Sequence, residues 1–109
     1  MTFIDRTDLI TTSPRTELKR IALYLQGDFA DITVQGEHER WIVVLYKNGA
    51  FESKAHAWWQ VSTREEAIAL ARQLERCLQA VAAFDDSLAF LPEAVRATGV
   101  LVADLSGLN

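Results

Sequence analysis

The chain has one cysteine, two prolines and five glycines in 109 residues, and each shortage removes a class of explanation. A lone Cys77 cannot close an internal disulfide, so the fold does not depend on an oxidising compartment. Two prolines and well-separated glycines leave no Pro/Gly/Ser linker, no low-complexity segment and no glycine-rich phosphate loop. No apolar run approaches the roughly 20 residues of a membrane helix. The opening MTFIDRTDLITTS lacks the basic start and apolar core of a signal peptide. Basic residues are a minority as well, 11 Lys and Arg against 15 Asp and Glu, for a net charge of −4. That balance counts against a dedicated nucleic-acid binder, whose affinity comes largely from cations neutralising phosphates. A cytoplasmic, soluble protein forming a single globular domain over residues 1–109 is the expectation.

What the chain does have is concentrated in one stretch. Arg40–Ser62 (RWIVVLYKNGAFESKAHAWWQVS) holds all three tryptophans and one of the two histidines. Asn48-Gly49 predicts a hairpin, because a two-residue loop needs positive φ at both central positions and Asn-Gly tolerates this best. With that loop, Lys47 faces Ala50, Tyr46 faces Phe51, Val44 faces Ser53 and Ile42 faces Ala55. Ile42, Val44, Tyr46, Phe51, Ala55 and Ala57 then share one side, which is expected to be the core. The other side collects Trp41, Val43 and Leu45 with Glu52, Lys54, His56 and Trp58. A solvated sheet face should alternate to polar residues, and this one does not. It is open to three kinds of cover: another element of the same chain, a partner protein or second copy, or a ligand. A β-bulge near Trp58-Trp59 would exchange the two tryptophans between faces.

Either side of this stretch the pattern is mostly helical. Ser13-Pro14 reads as a helix start, and Leu18, Ile21, Ala22 and Leu25 recur at helical spacing up to a stop at Gly27. Leu23 lies opposite that stripe and is expected to be exposed, and Arg15, Lys19 and Arg20 make the outer face basic. A weakly alternating strand is expected over about 29–35, followed by strands at about 40–47 and 50–61. A long helix over 63–84 is the clearest element. Ser62 or Thr63 caps it in a capping box with Glu65 or Glu66, and Ala67, Leu70, Ala71, Leu74, Cys77, Leu78 and Val81 form its apolar stripe. Pro92 and Gly99 bracket a short helix. Phe3, Ile4, Leu9 and Ile10 before it all, and Val100–Leu105 after, are apolar enough to dock or to add edge strands. The expected fold is a two-layer α+β domain in the order α-β-β-β-α-α, with a three-stranded antiparallel sheet packed on the long helix.

Function is far less legible. The mixed face (Trp41, Val43, Leu45, Lys54, His56, Trp58) suggests a non-catalytic interaction module that associates with itself as a homodimer, or with another protein. Large apolar patches rarely stay exposed on a monomer, and tryptophan is enriched among interface anchors. A second reading has the sheet aromatics stacking single-stranded nucleic acid, with Arg40, Lys47, Lys54 and the first helix on phosphates. A small enzyme is third, without a catalytic motif to support it. His38 sits between Glu37 and Glu39, but neighbours in a turn rarely converge on one ion, and no HxH, HxxxH or CxxC spacing accompanies it. Cys77 on a helix stripe reads as a small buried hydrophobe rather than a nucleophile. No cofactor, metal or membrane partner is expected.

Overall fold

The structure is a computed structural model that describes residues 2–8, 20–37 and 40–102. Its centre is one six-stranded antiparallel sheet whose spatial order follows the chain. The strands are β1 (Phe3–Asp5), β2 (Arg20–Gly27), β3 (Ala30–Glu37), β4 (Arg40–Asn48), β5 (Ser53–Val61) and β6 (Val100–Leu101). Between β5 and β6 come helix α1 (Arg64–Gln79) and the short helix α2 (Glu93–Thr98). Among the described residues the α-β-β-β-α-α expectation is therefore corrected to six strands with one moderate helix and one short one.

The largest departure is β2. Residues 20–27 were expected to finish a helix, and they form a strand paired along β3. The segment fits both periods: Ile21, Ala22 and Leu25 recur helically, while Leu23 and Leu25 alternate with Tyr24 and Gln26. Pairing decides between them. Leu23 lies opposite Val34 and Leu25 opposite Ile32, and all four are buried. Leu23, expected to be exposed, is a core residue. The Ser13-Pro14 helix start and Leu18 lie outside the described residues, as do Leu9 and Ile10. Phe3 and Ile4 do form an edge strand, β1, against Gly27 and Gln26.

Helix α1 begins as the capping chemistry requires. Thr63 is extended and its Oγ1 accepts from the Glu66 backbone N–H at 3.1 Å, which satisfies one of the unpaired donors of the first turn. The helix ends at Ala80 rather than continuing to 84. Its buried side chains, Ala67, Ala71, Leu74 and Leu78, cover a sheet surface made of Leu23, Leu25, Ile32, Val34, Val43, Leu45, Ala57 and Trp59. Leu88 and Leu91 close the end of this layer. Leu88 holds φ of 60°, an uncommon conformation for a branched side chain, and it is 2% exposed. Burial of its side chain holds it in that backbone state. No described helix is long and apolar enough to cross a membrane.

Both tryptophans of the helix-covered face rest on glycine. Trp41 lies opposite Gly36, and a Cβ built on Gly36 would come within 2.7 Å of the Trp41 ring. A Cβ on Gly99 would meet the Trp59 ring at 2.8 Å. Trp59 also donates its Nε1–H to the Val95 carbonyl at 2.8 Å, which places α2 on the same side of the sheet as α1.

Candidate functional site

The hairpin is where sequence and structure part, and the consequences reach every expected interface residue. The β4–β5 loop is four residues long, from Gly49 to Glu52, closed by a Gly49 N–H bond to the Glu52 carbonyl at 2.8 Å. Gly49 does not take positive φ. Asn48 pairs with Ser53, Lys47 with Lys54 and Tyr46 with Ala55. A bulge at His56 then shifts the ladder by one, so that Leu45 faces Ala57, Val44 faces Trp58 and Val43 faces Trp59. An extra residue in one strand exchanges the faces of everything beyond it. Trp59 therefore shares a face with Val43 and Leu45, and Trp58 turns to the other side.

The six residues expected to form one binding face are accordingly divided. Val43 and Leu45 are fully buried beneath α1, and Trp41 packs partly buried against the same core over Gly36. Part of the face read as a binding surface is thus the interior, covered by the chain's own helix. Lys54 is exposed and pairs with Glu52 at 3.3 Å. His56, at the bulge, meets the Phe84 ring edge-on with centroids 5.0 Å apart. Its Nε2–H donates to the Asp86 carbonyl at 2.8 Å. Trp58 alone faces away from the helices. Conversely Ile42, Val44 and Tyr46, expected as core, are only half-buried, and Phe51 is fully exposed at the loop tip, at 101%.

Among the described residues, this hairpin borders two concave surfaces. The first lies on the open side of the sheet and has a volume of about 400 Å³. Ile42, Val44, Tyr46, Ala55 and Trp58 supply its apolar part, and Gln35, Gln60 and Arg40 its polar part. The two described helices, α1 and α2, lie on the opposite side of the sheet from it. The second, about 510 Å³, sits at the hairpin end between Phe51, Lys47, Lys54, His56 and Asp86. Its cations are already engaged. Lys47 Nζ is 2.6 Å from Asp86 Oδ1 and 5.7 Å from the Phe84 ring centre, and Lys54 has Glu52. Such exposed pairs are each worth only about 0–1 kcal/mol, but they leave no concentrated positive field.

A third feature escaped the sequence reading. Asp31, 4% exposed, is held by three donors. Its Oδ1 accepts from Asn48 Nδ2 at 2.8 Å and from the Gly27 N–H at 3.2 Å, and its Oδ2 accepts from the Tyr24 hydroxyl at 2.9 Å. Burial first, and the bond to Asp31 second, push the Tyr24 phenol up to about 12. Asn48 also donates to the Gly27 carbonyl at 2.9 Å and accepts from Ser53 Oγ. The Asn48 that looked like a turn residue is the side-chain bolt joining the β2–β3 and β4–β5 loops. The sequence carried no distinct signal for it, because Asp31 falls in register with Thr33 and Gln35 at the polar positions of an alternating strand, and it is burial that makes its carboxylate demand partners.

No three His, Cys, Asp or Glu side chains among the described residues are placed to hold a metal ion, and His38 lies outside those residues. Cys77 is partly buried against the core from α1. No protein-family model, curated protein or solved structure matches this chain.

Proposed function

We propose that this protein is a non-catalytic interaction module that binds through the open face of its sheet, a second copy of the chain being the first partner to test. The observation that carries the reading is the concave surface with Trp58 and Tyr46 beside Ile42 and Val44, on the side of the sheet opposite both helices. Aromatic and aliphatic side chains with arginine at the margin, and few other charges, are the composition of interface cores and hot spots. The fully exposed Phe51 adds a second apolar contact at one end of the same hairpin. The site is thus the opposite face from the one the sequence suggested, with Trp58 the residue common to both.

The nucleic-acid reading has less support. Among the described residues, Arg40 is the one cation it needs that borders the aromatic surface. Lys47 and Lys54 share the helix side of the ladder and are paired with Asp86 and Glu52. Stacking platforms work when the aromatic and cationic groups track one strand together.

Light scattering over a range of concentrations tests the proposal. The expected result is a concentration-dependent mass above that of the single chain, with association weakened by about 2 kcal/mol or more in Trp58→Ala if Trp58 is a hot spot. A single-chain mass at every concentration, unchanged by the substitution, would remove self-association as the function of this face.

A further inference from the structure

Asn48-Gly49 is also a chemically reactive pair. An asparagine followed by glycine loses its side-chain amide more readily than any other, because glycine presents no β-carbon to hinder its own backbone nitrogen. The Gly49 nitrogen bonds to Asn48 Cγ, the Cγ–Nδ2 bond breaks, and ammonia leaves carrying the Gly49 amide proton. Water then opens the resulting succinimide at either carbonyl, giving aspartate or isoaspartate at position 48.

Every group needed for that attack is engaged in the folded protein. Asn48 Nδ2 spends both its protons, one on the Gly27 carbonyl at 2.9 Å and one on Asp31 Oδ1 at 2.8 Å, and has no third to give. Asn48 Oδ1 accepts from Ser53 Oγ. The nucleophile is held from the other side, with the Gly49 N–H on the Glu52 carbonyl at 2.8 Å. The Asn48 N–H is bonded to the Phe29 carbonyl at 3.1 Å, so the backbone cannot swing while both loops are closed.

We propose that Asn48 is a latent deamidation site, kept intact by the closed β2–β3 and β4–β5 loops and converted irreversibly in molecules whose hairpin end opens. The product cannot return to the same arrangement. An aspartate at position 48 sets a second carboxylate where Nδ2 now donates to Asp31, so that a donor–acceptor bond is replaced by two acceptors of like charge. An isoaspartate adds a methylene to the backbone and breaks the Asn48–Ser53 pairing. Opening at this one place therefore becomes a permanent loss of stability, and the chain carries a chemical record of having opened.

The test compares the full chain in neutral buffer with the same chain unfolded in urea, following the mass change at Asn48 and the isoaspartate content of peptide 48–54. Conversion should be roughly tenfold or more slower in the folded protein, as expected when a reaction requires local opening. Gly49→Ala, whose new Cβ meets only the Glu52 carbonyl oxygen at 3.3 Å, should suppress conversion even in urea. Asn48→Asp should lower the urea midpoint, and its deficit relative to the parent chain should shrink as pH falls and one carboxyl takes up a proton. Equal conversion rates in folded and unfolded chain, no conversion in urea, or an Asn48→Asp protein as stable as the parent would each overturn the proposal.

Discussion

Replacing Trp59 with alanine tests the register on which the whole assignment of faces depends. Trp59 is 1% exposed, lies opposite Val43 and packs on Gly99 so closely that a methyl would not fit between them. Truncating a fully buried tryptophan costs about 3–5 kcal/mol through lost transfer energy and the cavity left behind. The hydrogen bond to the Val95 carbonyl adds at most about 1 kcal/mol, because Thr98 Oγ1 also donates to that oxygen at 3.0 Å and keeps it from being orphaned. Against a total stability of about 5–15 kcal/mol for an ordinary domain, Trp59→Ala should be severely destabilising. Trp58, half-exposed on the open face, should cost less on truncation, on the order of 1–2 kcal/mol from partial burial. Urea unfolding of both variants, read at constant slope so that midpoints report stability, gives the comparison. If Trp58→Ala unfolds the protein and Trp59→Ala is nearly silent, the His56 bulge is not where the structure places it. The open-face proposal would then fall with it.

Two further outcomes follow from contacts elsewhere. Gly36→Ala should destabilise by about 1–3 kcal/mol, as overpacking does, because its Cβ would meet the Trp41 ring at 2.7 Å; an unchanged thermal midpoint would mean the ring is free to move aside. Tyr24, raised from 10.0 to about 12, favours the neutral phenol in the folded state. Its contribution to stability should be fully present below pH 10 and lost as pH rises toward about 12. Tyr24→Phe should remove that part of the alkaline dependence, and a wild-type minus variant difference that stays flat across the window would refute the raised phenol, which burial causes first and the bond to Asp31 second.

Elements that carried redundant signals were legible in the sequence. Helix α1 had a cap, acidic residues at its first turn and an unbroken apolar stripe, and each agrees with the others, so its start and its buried face follow directly. The central strands were legible as strands. β2 was not, because Ile21, Ala22, Leu23 and Leu25 satisfy two periods at once, and only the presence of Val34 and Ile32 across the ladder chooses between them. Such a choice is made by tertiary pairing, which lies outside any local window. The hairpin loop misled for a related reason. Asn-Gly is favoured where backbone strain must be absorbed, but here the Asn48 side chain finds Gly27, Asp31 and Ser53, and those bonds hold it at the end of β4 and leave the turn to the next four residues.

The division of the expected binding face follows from the composition of β4. WIVVLY is apolar at six successive positions, and an uninterrupted run carries no information about which set of alternating residues points inward. It does carry information of another kind. The described helices form a single layer, and that layer covers one face of the sheet. Trp41, Val43 and Leu45 receive the helices, so Ile42, Val44 and Tyr46 are left with apolar surface beyond what the solvent side of an antiparallel sheet requires. Reversing the assignment would merely exchange the two sets. The excess survives either way, which is why an apolar face could be inferred from the sequence while its residues were misassigned. The His56 bulge then decides which tryptophan joins it, placing Trp58 opposite Val44 and beside Tyr46 at the centre of the open surface.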